Sequence, residues 1–163
     1  RIMKEFGAHA VKLEGGKEVS ESISKIINAG IPVMGHLGLT PQSIYKFGTY
    51  NVRGKNKIEA DQLIEDAQTL EKLGCFSTVL EKIPHKLSEE ISKKTKFPLI
   101  GIGAGNNVDG QVLVIHDLIG LTNEFNPRFI RRYLDLNSSI KSAVSQFIKD
   151  VKSSDFPSKD EMY

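Results

Sequence analysis

Short apolar runs alternate with stretches of helical periodicity along most of this 163-residue chain, and that alternation is the tightest constraint on its fold. The sequence predicts strands over 9–13, 31–37, 76–83, 97–105 and 111–117. Between the first two, Val19, Ile23, Ile26 and Ile27 recur at helical spacing up to Ala29-Gly30. Leu63, Ala67 and Leu70 mark a helix over 58–73 that stops at Gly74, with Glu and Asp plentiful on its other face, and Leu87 and Ile91 mark a shorter one. Strands that alternate with helices form parallel βαβ units, so the predicted class is α/β. The interval from Gly105 to Gln111 is too short for a crossover helix, and one tight turn of helix or a distorted unit is expected there.

Two architectures satisfy this order. One is an open doubly wound sheet. The other is a (β/α)8 barrel of which residues 1–163 supply the last five strands, as the C-terminal portion of a single domain. Arg1 to Gly7 reads like the last turn of a helix with its glycine stop, and the chain opens without a start Met. Both favour a sequence that begins inside a larger protein, with three barrel strands upstream.

The C-terminal part is predicted helical. Phe129, Ile130, Tyr133 and Leu134 make one amphipathic segment, and Ser138 or Ser139 is placed to cap a second. The inner stripe of that second helix is Ile140, Ala143, Val144, Phe147, Ile148 and Val151. Residues 153–163 are polar and are expected to lie on the surface or fray.

Composition narrows the partners. A net charge of +2 argues neither for nucleic acid nor for a membrane surface, and no apolar stretch approaches the length of a membrane span. The single cysteine, Cys75, excludes an internal disulfide and reads as a buried thiol in a reducing compartment.

The polar residues collect at one end of the predicted strands: Lys12 and Glu14, His36, Glu81, the Gly103-Ala104-Gly105 turn, and His116-Asp117. In a strand, residues two apart share a face, so Lys12 and Glu14 project together. In a (β/α)8 barrel the C-terminal strand ends build the active site. Each residue also has a plainer reading. Lys12 and Glu14 make a surface ion pair, His36 a satisfied core histidine, and the glycine run either an anion cradle or a tight turn. His116-Asp117 is either an oriented histidine or a helix cap. Glu81 ends an apolar strand, where a solvated carboxylate is uncommon, and this favours proton transfer or a metal-linked role. The segment from Gly38 to about Asn56 is long enough for a lid or an ordered connection. No His/Cys cluster has zinc spacing, which leaves a hard ion such as Mg²⁺ on carboxylates as the metal to consider.

Five segments together resemble the ketopantoate hydroxymethyltransferase family. They are Val11-Lys12-Leu13-Glu14-Gly15-Gly16, the run from Ile31 to Gln42, Val79-Leu80-Glu81-Lys82-Ile83-Pro84, Ile100 to Gly105, and Asp109 to Val114 with His116-Asp117. The resemblance implies a (β/α)8 barrel that assembles as a cytoplasmic decamer and serves pantothenate biosynthesis. It implies transfer of a one-carbon unit from 5,10-methylenetetrahydrofolate to 3-methyl-2-oxobutanoate, giving 2-dehydropantoate, with Mg²⁺ stabilising the enolate. By the same resemblance Glu14 is the metal carboxylate, Lys12 binds the keto acid, Glu81 is the proton acceptor, and His36 acts through its neighbours. Two aspartates that hold Mg²⁺ in the family, and a serine that touches substrate, come from strands without a counterpart here. The chain alone is therefore expected to have little or no activity. Two competing readings are another Mg²⁺-dependent keto-acid barrel enzyme of the phosphoenolpyruvate/isocitrate-lyase type and a non-catalytic barrel remnant.

Overall fold

A computed structural model of the chain describes residues 1–122, 124 and 126–163. These form two compact units, Arg1–Val112 and Leu113–Tyr163, each taken by itself.

The first unit begins with a one-turn helix, α1 (Ile2–Phe6), stopped by Gly7 in the left-handed conformation. Then come β1 (Val11–Glu14), α2 (Ser20–Asn28), β2 (Val33–Gly38), a short α3 (Ile44–Phe47), α4 (Lys57–Leu73), β3 (Ser77–Glu81), α5 (His85–Lys94), β4 (Leu99–Ile102) and β5 (Gly110–Gln111). The five strands lie in chain order in one sheet, and every pairing is parallel.

α4 shows how local sequence fixes these elements. The Asn56 side chain accepts the Glu59 N–H at 2.9 Å and caps the start. Gly74, at φ 93°, lets the chain leave the helix in the left-handed region. Leu63, Ile64, Ala67 and Leu70 form the buried stripe between them.

Register sorts the sheet residues onto two faces, because paired residues on neighbouring strands point the same way. Val11 pairs with Val33, Leu13 with Gly35, Gly35 with Thr78, Thr78 with Leu99, and Leu37 with Leu80. Val33, Leu37, Leu80 and Leu99 belong to the hydrophobic core with Ile23 of α2, Leu63, Ala67 and Leu70 of α4, and Leu87 and Ile91 of α5. Val11 and Leu13 pack against that core. Gly35 is glycine for a spatial reason: an added Cβ would lie 2.6 Å from Leu70 Cδ1. The opposite face carries Lys12, Glu14, Met34, His36, Val79, Glu81, Ile100 and Ile102.

Three expectations change. The fifth strand is two residues long rather than running to Asp117. Its last ladder bond is Val112 N–H to the Gly101 carbonyl, after which Asp117 and Leu118 donate to the Val114 carbonyl and start α6 (Ile115–Leu118). Val112, Val114 and Ile115 are each about half exposed, so the continuous apolar run is not a strand covered on both faces. A short apolar run does not by itself distinguish strand from helix. His116 and Asp117 thus sit on a helix of the second unit and not at a strand end. Between β4 and β5 there is no helix; the Asp109 carboxylate accepts the Leu99 N–H at 2.8 Å and closes a distorted unit.

The second correction concerns Phe129 to Leu134, which form turns and not an amphipathic helix. The N–H groups of Tyr133, Leu136 and Asn137 donate to the carbonyls of Leu118, Ile119 and Gly120, following α6 instead of closing helical turns of their own. Gly120 allows this approach, since a Cβ there would lie 2.1 Å from the Leu134 carbonyl oxygen. Third, α7 (Leu136–Ser153) is capped by Asp135, whose carboxylate accepts the Ser138 N–H, and not by a serine. Its stripe is not an inner one: Ile140, Val144, Phe147, Ile148 and Val151 are roughly half exposed. The last residues are exposed as expected, with Phe156 meeting Phe147 edge-on. Cys75 is buried, and burial pushes its thiol up from the usual range.

Candidate active site

The site candidate is a line of three side chains across three adjacent strand ends. β1 ends at Glu14, whose register partner on β2 is His36. β3 ends at Glu81, opposite Gly38, two residues beyond His36 and on the same face. His36 is 2% exposed. Its Nε2 lies 3.1 Å from Glu81 Oε2, a hydrogen bond, and its Nδ1 lies 3.6 Å from Glu14 Oε1, outside bonding range. Nδ1 has no hydrogen-bond partner among the described residues. One proton on Nε2 gives Glu81 a donor and turns the Nδ1 lone pair toward Glu14.

Glu14 is held from its other side. Its Oε2 accepts the Gln42 N–H at 2.9 Å, so the segment after β2 reaches back over the end of β1. That segment is an ordered connection tied down at both ends: Leu39 donates to the Glu81 carbonyl and Arg53 to the Lys82 carbonyl. The Arg53 guanidinium pairs with Glu59 and stacks 4.0 Å from the Phe47 ring centre. A cleft of about 400 Å³ opens beside His36, walled by Gly15, Gly16, Thr40, Arg53 and Asp66.

Lys12 shares the face of Glu14 and is exposed. Lys12, Glu14, His36 and Glu81 share one face of the sheet. The glycine turn serves packing: the Ser88 hydroxyl donates to the Ala104 carbonyl, and a Cβ on Gly105 would lie 2.4 Å from His85 Cβ.

Two site residues escaped the sequence reading. One is Gln42, which acts through its backbone and leaves no side-chain signal. The other is Asp66. It lies on the apolar face of α4 and not on the solvated one, and it is 6% exposed. Its Oδ1 accepts the Lys17 N–H at 2.9 Å and the Gln62 side-chain amide at 3.0 Å. Burial raises its pKa above the ordinary 3.8, against those two hydrogen bonds, with Glu18 and Glu65 adding to the rise. The signal was present: Leu63, Asp66, Ala67 and Leu70 stand at i, i+3, i+4 and i+7 of one helical stripe.

Among the described residues, no group of three His, Cys, Asp or Glu side chains converges to hold a metal ion. Glu14 suits a hard cation as one carboxylate ligand, and a Mg²⁺ site needs further oxygens. Among the described residues, no helix is long and apolar enough to cross a membrane.

Residues 1–159 match the family model described as ketopantoate hydroxymethyltransferase. The chain is 68% identical over all 163 residues to the 3-methyl-2-oxobutanoate hydroxymethyltransferase of Flavobacterium johnsoniae, of which it covers 60%. It is 65% identical to the protein of that name from Christiangramia forsetii and 60% identical to that from Porphyromonas gingivalis, over the same 163 residues and 60% of each. The chain thus spans about 60% of the length of the curated relatives it matches. A match over nearly all of its residues means that the chain belongs to the ketopantoate hydroxymethyltransferase family.

Proposed function

We propose that the whole protein transfers a hydroxymethyl group from 5,10-methylenetetrahydrofolate to 3-methyl-2-oxobutanoate, giving 2-dehydropantoate. The observation that carries this reading is the Glu14–His36–Glu81 line across the ends of three parallel strands. The proposed frame is a (β/α)8 barrel in which residues 1–163 are part of one domain. Its support is that sheet order follows chain order while the core of α2, α4 and α5 lies on one sheet face. An open doubly wound sheet has helices on both faces, whereas a closed barrel has them only outside. The charged face is then the inner one.

The residues divide the work by chemistry. Glu81 accepts the C3 proton of the keto acid, and the buried His36 Nε2 orients its carboxylate for that transfer. Lys12 offsets the carboxylate charge of the substrate. Glu14 would hold Mg²⁺ through one oxygen, with the remaining ligands from substrate, water and residues in the additional length that the relatives possess. The ion, when bound, supplies Lewis acidity at the keto acid. Cytoplasmic location and a decameric assembly complete the reading, as the resemblance implies.

The test is product formation by the whole protein. 2-Dehydropantoate should appear with Mg²⁺, keto acid and methylenetetrahydrofolate together, and not when the folate is left out. Product without the folate, or none in the complete mixture, would refute the reading. Residues 1–163 alone should yield little or no product, because the metal ligands are incomplete.

A further inference from the structure

Asp66 is an expensive residue to bury. A carboxylate taken out of water is disfavoured unless hydrogen bonds compensate, and an apolar residue at this place in the α4 stripe would avoid the penalty. The structure shows what Asp66 does instead. Its Oδ1 reaches 49 residues back along the chain to the Lys17 N–H, the first donor after the Gly15-Gly16 turn. Gln62, one helical turn before it, donates to the same oxygen and fixes the carboxylate in place. Gly16 lies directly against Asp66: an added Cβ would be 2.1 Å from Asp66 Cγ. At the other end of the turn, the Gly15 N–H donates to the His36 carbonyl at 3.0 Å. The chain leaving Glu14 is therefore gripped twice, once by the β2 backbone and once by α4.

We propose that Asp66 is a positioning residue for Glu14: by accepting the Lys17 N–H it fixes the Gly15-Gly16 turn where the Glu14 carboxylate faces His36 on one side and the Gln42 N–H on the other. This deepens the reading of Glu14 as a metal carboxylate and rests on it for its catalytic meaning. The clamp itself is a matter of geometry. Glu14 is the last residue of β1, so the pleat sets the face its side chain leaves from while the turn that follows holds the strand end in place. Side chains behind a metal ligand commonly set its orientation, and losing one costs about 10–100-fold in metal affinity.

The test compares Asp66→Ala, Asp66→Asn and Glu14→Gln in the whole protein. Amide hydrogen exchange reads the clamp directly. In Asp66→Ala the Lys17 amide should exchange faster, and so should the Gln42 amide, which donates to the Glu14 carboxylate. A role in folding alone would not single out Gln42. Asp66→Asn keeps an acceptor oxygen and should keep both amides protected. Mn²⁺ added without substrate should bind Asp66→Ala about tenfold or more weakly than wild type, and Asp66→Asn nearly as wild type. Unchanged Gln42 exchange in a cooperatively folded Asp66→Ala overturns the proposal. If Asp66→Ala does not fold, loss of Gln42 protection in a folded Asp66→Asn overturns it. Wild-type Mn²⁺ binding by Glu14→Gln sinks the metal reading of Glu14 separately, because the exchange result does not depend on metal.

Discussion

Leu80 and Glu81 are consecutive residues of β3, yet they belong to different problems. Leu80 is fully buried in the core under the helices, while Glu81 is partly exposed and bonded to His36. The same one-residue alternation runs through β1, where Leu13 packs on the core and Glu14 faces His36, and through β2, with Leu37 and His36. One face of the sheet holds the unit together, and the other is free to carry charge at the strand ends. A period of two lets stability and chemistry be set by adjacent residues with little interference.

The sharpest way to break that separation is at its closest pair. Glu81→Gln in the whole protein should lower kcat by about 10²–10⁴-fold, the usual worth of a positioned base, with the thermal midpoint nearly unchanged. The Gln side chain still offers His36 an oxygen. A large fall in midpoint with modest loss of turnover would place Glu81 on the structural side. Leu80→Ala should do the opposite. Removing a fully buried leucine costs about 2–5 kcal/mol, read by urea unfolding, and should leave the KM for keto acid close to wild type where the protein is folded.

Gly35→Ala tests the helix side of the sheet. Its new Cβ would lie 2.6 Å from Leu70 Cδ1 and 2.8 Å from Thr78 Oγ1, contacts that the buried Leu70 and Thr78 side chains must give way to. Overpacking of this kind costs about 1–3 kcal/mol. Neither neighbour is part of the Glu14–His36–Glu81 line, so turnover at a temperature well below the midpoint should hold. Loss of activity without loss of stability would show that α4 transmits strain to the charged face.

The same alternation explains what could be read from sequence. β1 to β4, α2, α4 and α5 were legible because strand runs and helical stripes differ in period and are punctuated by Gly30 and Gly74. Lys12, Glu14, His36 and Glu81 were legible because charge at the end of an apolar run is conspicuous, and the family motifs surround them. The failures share a cause: backbone partners that sequence does not display. The run from Val112 to Asp117 has strand composition, but after Val112 joins the ladder the Asp117 N–H turns back on the Val114 carbonyl. Residues 129–134 have helical spacing, but the Tyr133 N–H is taken by the Leu118 carbonyl. Asp66 was hidden by assuming that acidic residues of an amphipathic helix face water, although its position in the stripe said otherwise.

Asp66 also gives the smallest expected effect and is an exception to the division between faces, since it is a buried charge on the helix side. Burial raises its pKa above 3.8, so the folded state keeps a proton at pH values where the unfolded chain has released it. The state that binds more protons gains as pH falls. Stability should therefore decline as pH rises from the unfolded value through the raised folded value, and the decline should be complete above it. Asparagine does not titrate. The stability of Asp66→Asn relative to wild type should climb through that window and then level off, by less than the Leu80 or Gly35 effects. Urea unfolding of both proteins from about pH 3 to about pH 7 measures this directly. Parallel curves across the range would mean that Asp66 is as well solvated folded as unfolded. A relative gain that ends above 3.8 would instead show a carboxylate kept buried at some cost to hold the turn after Glu14.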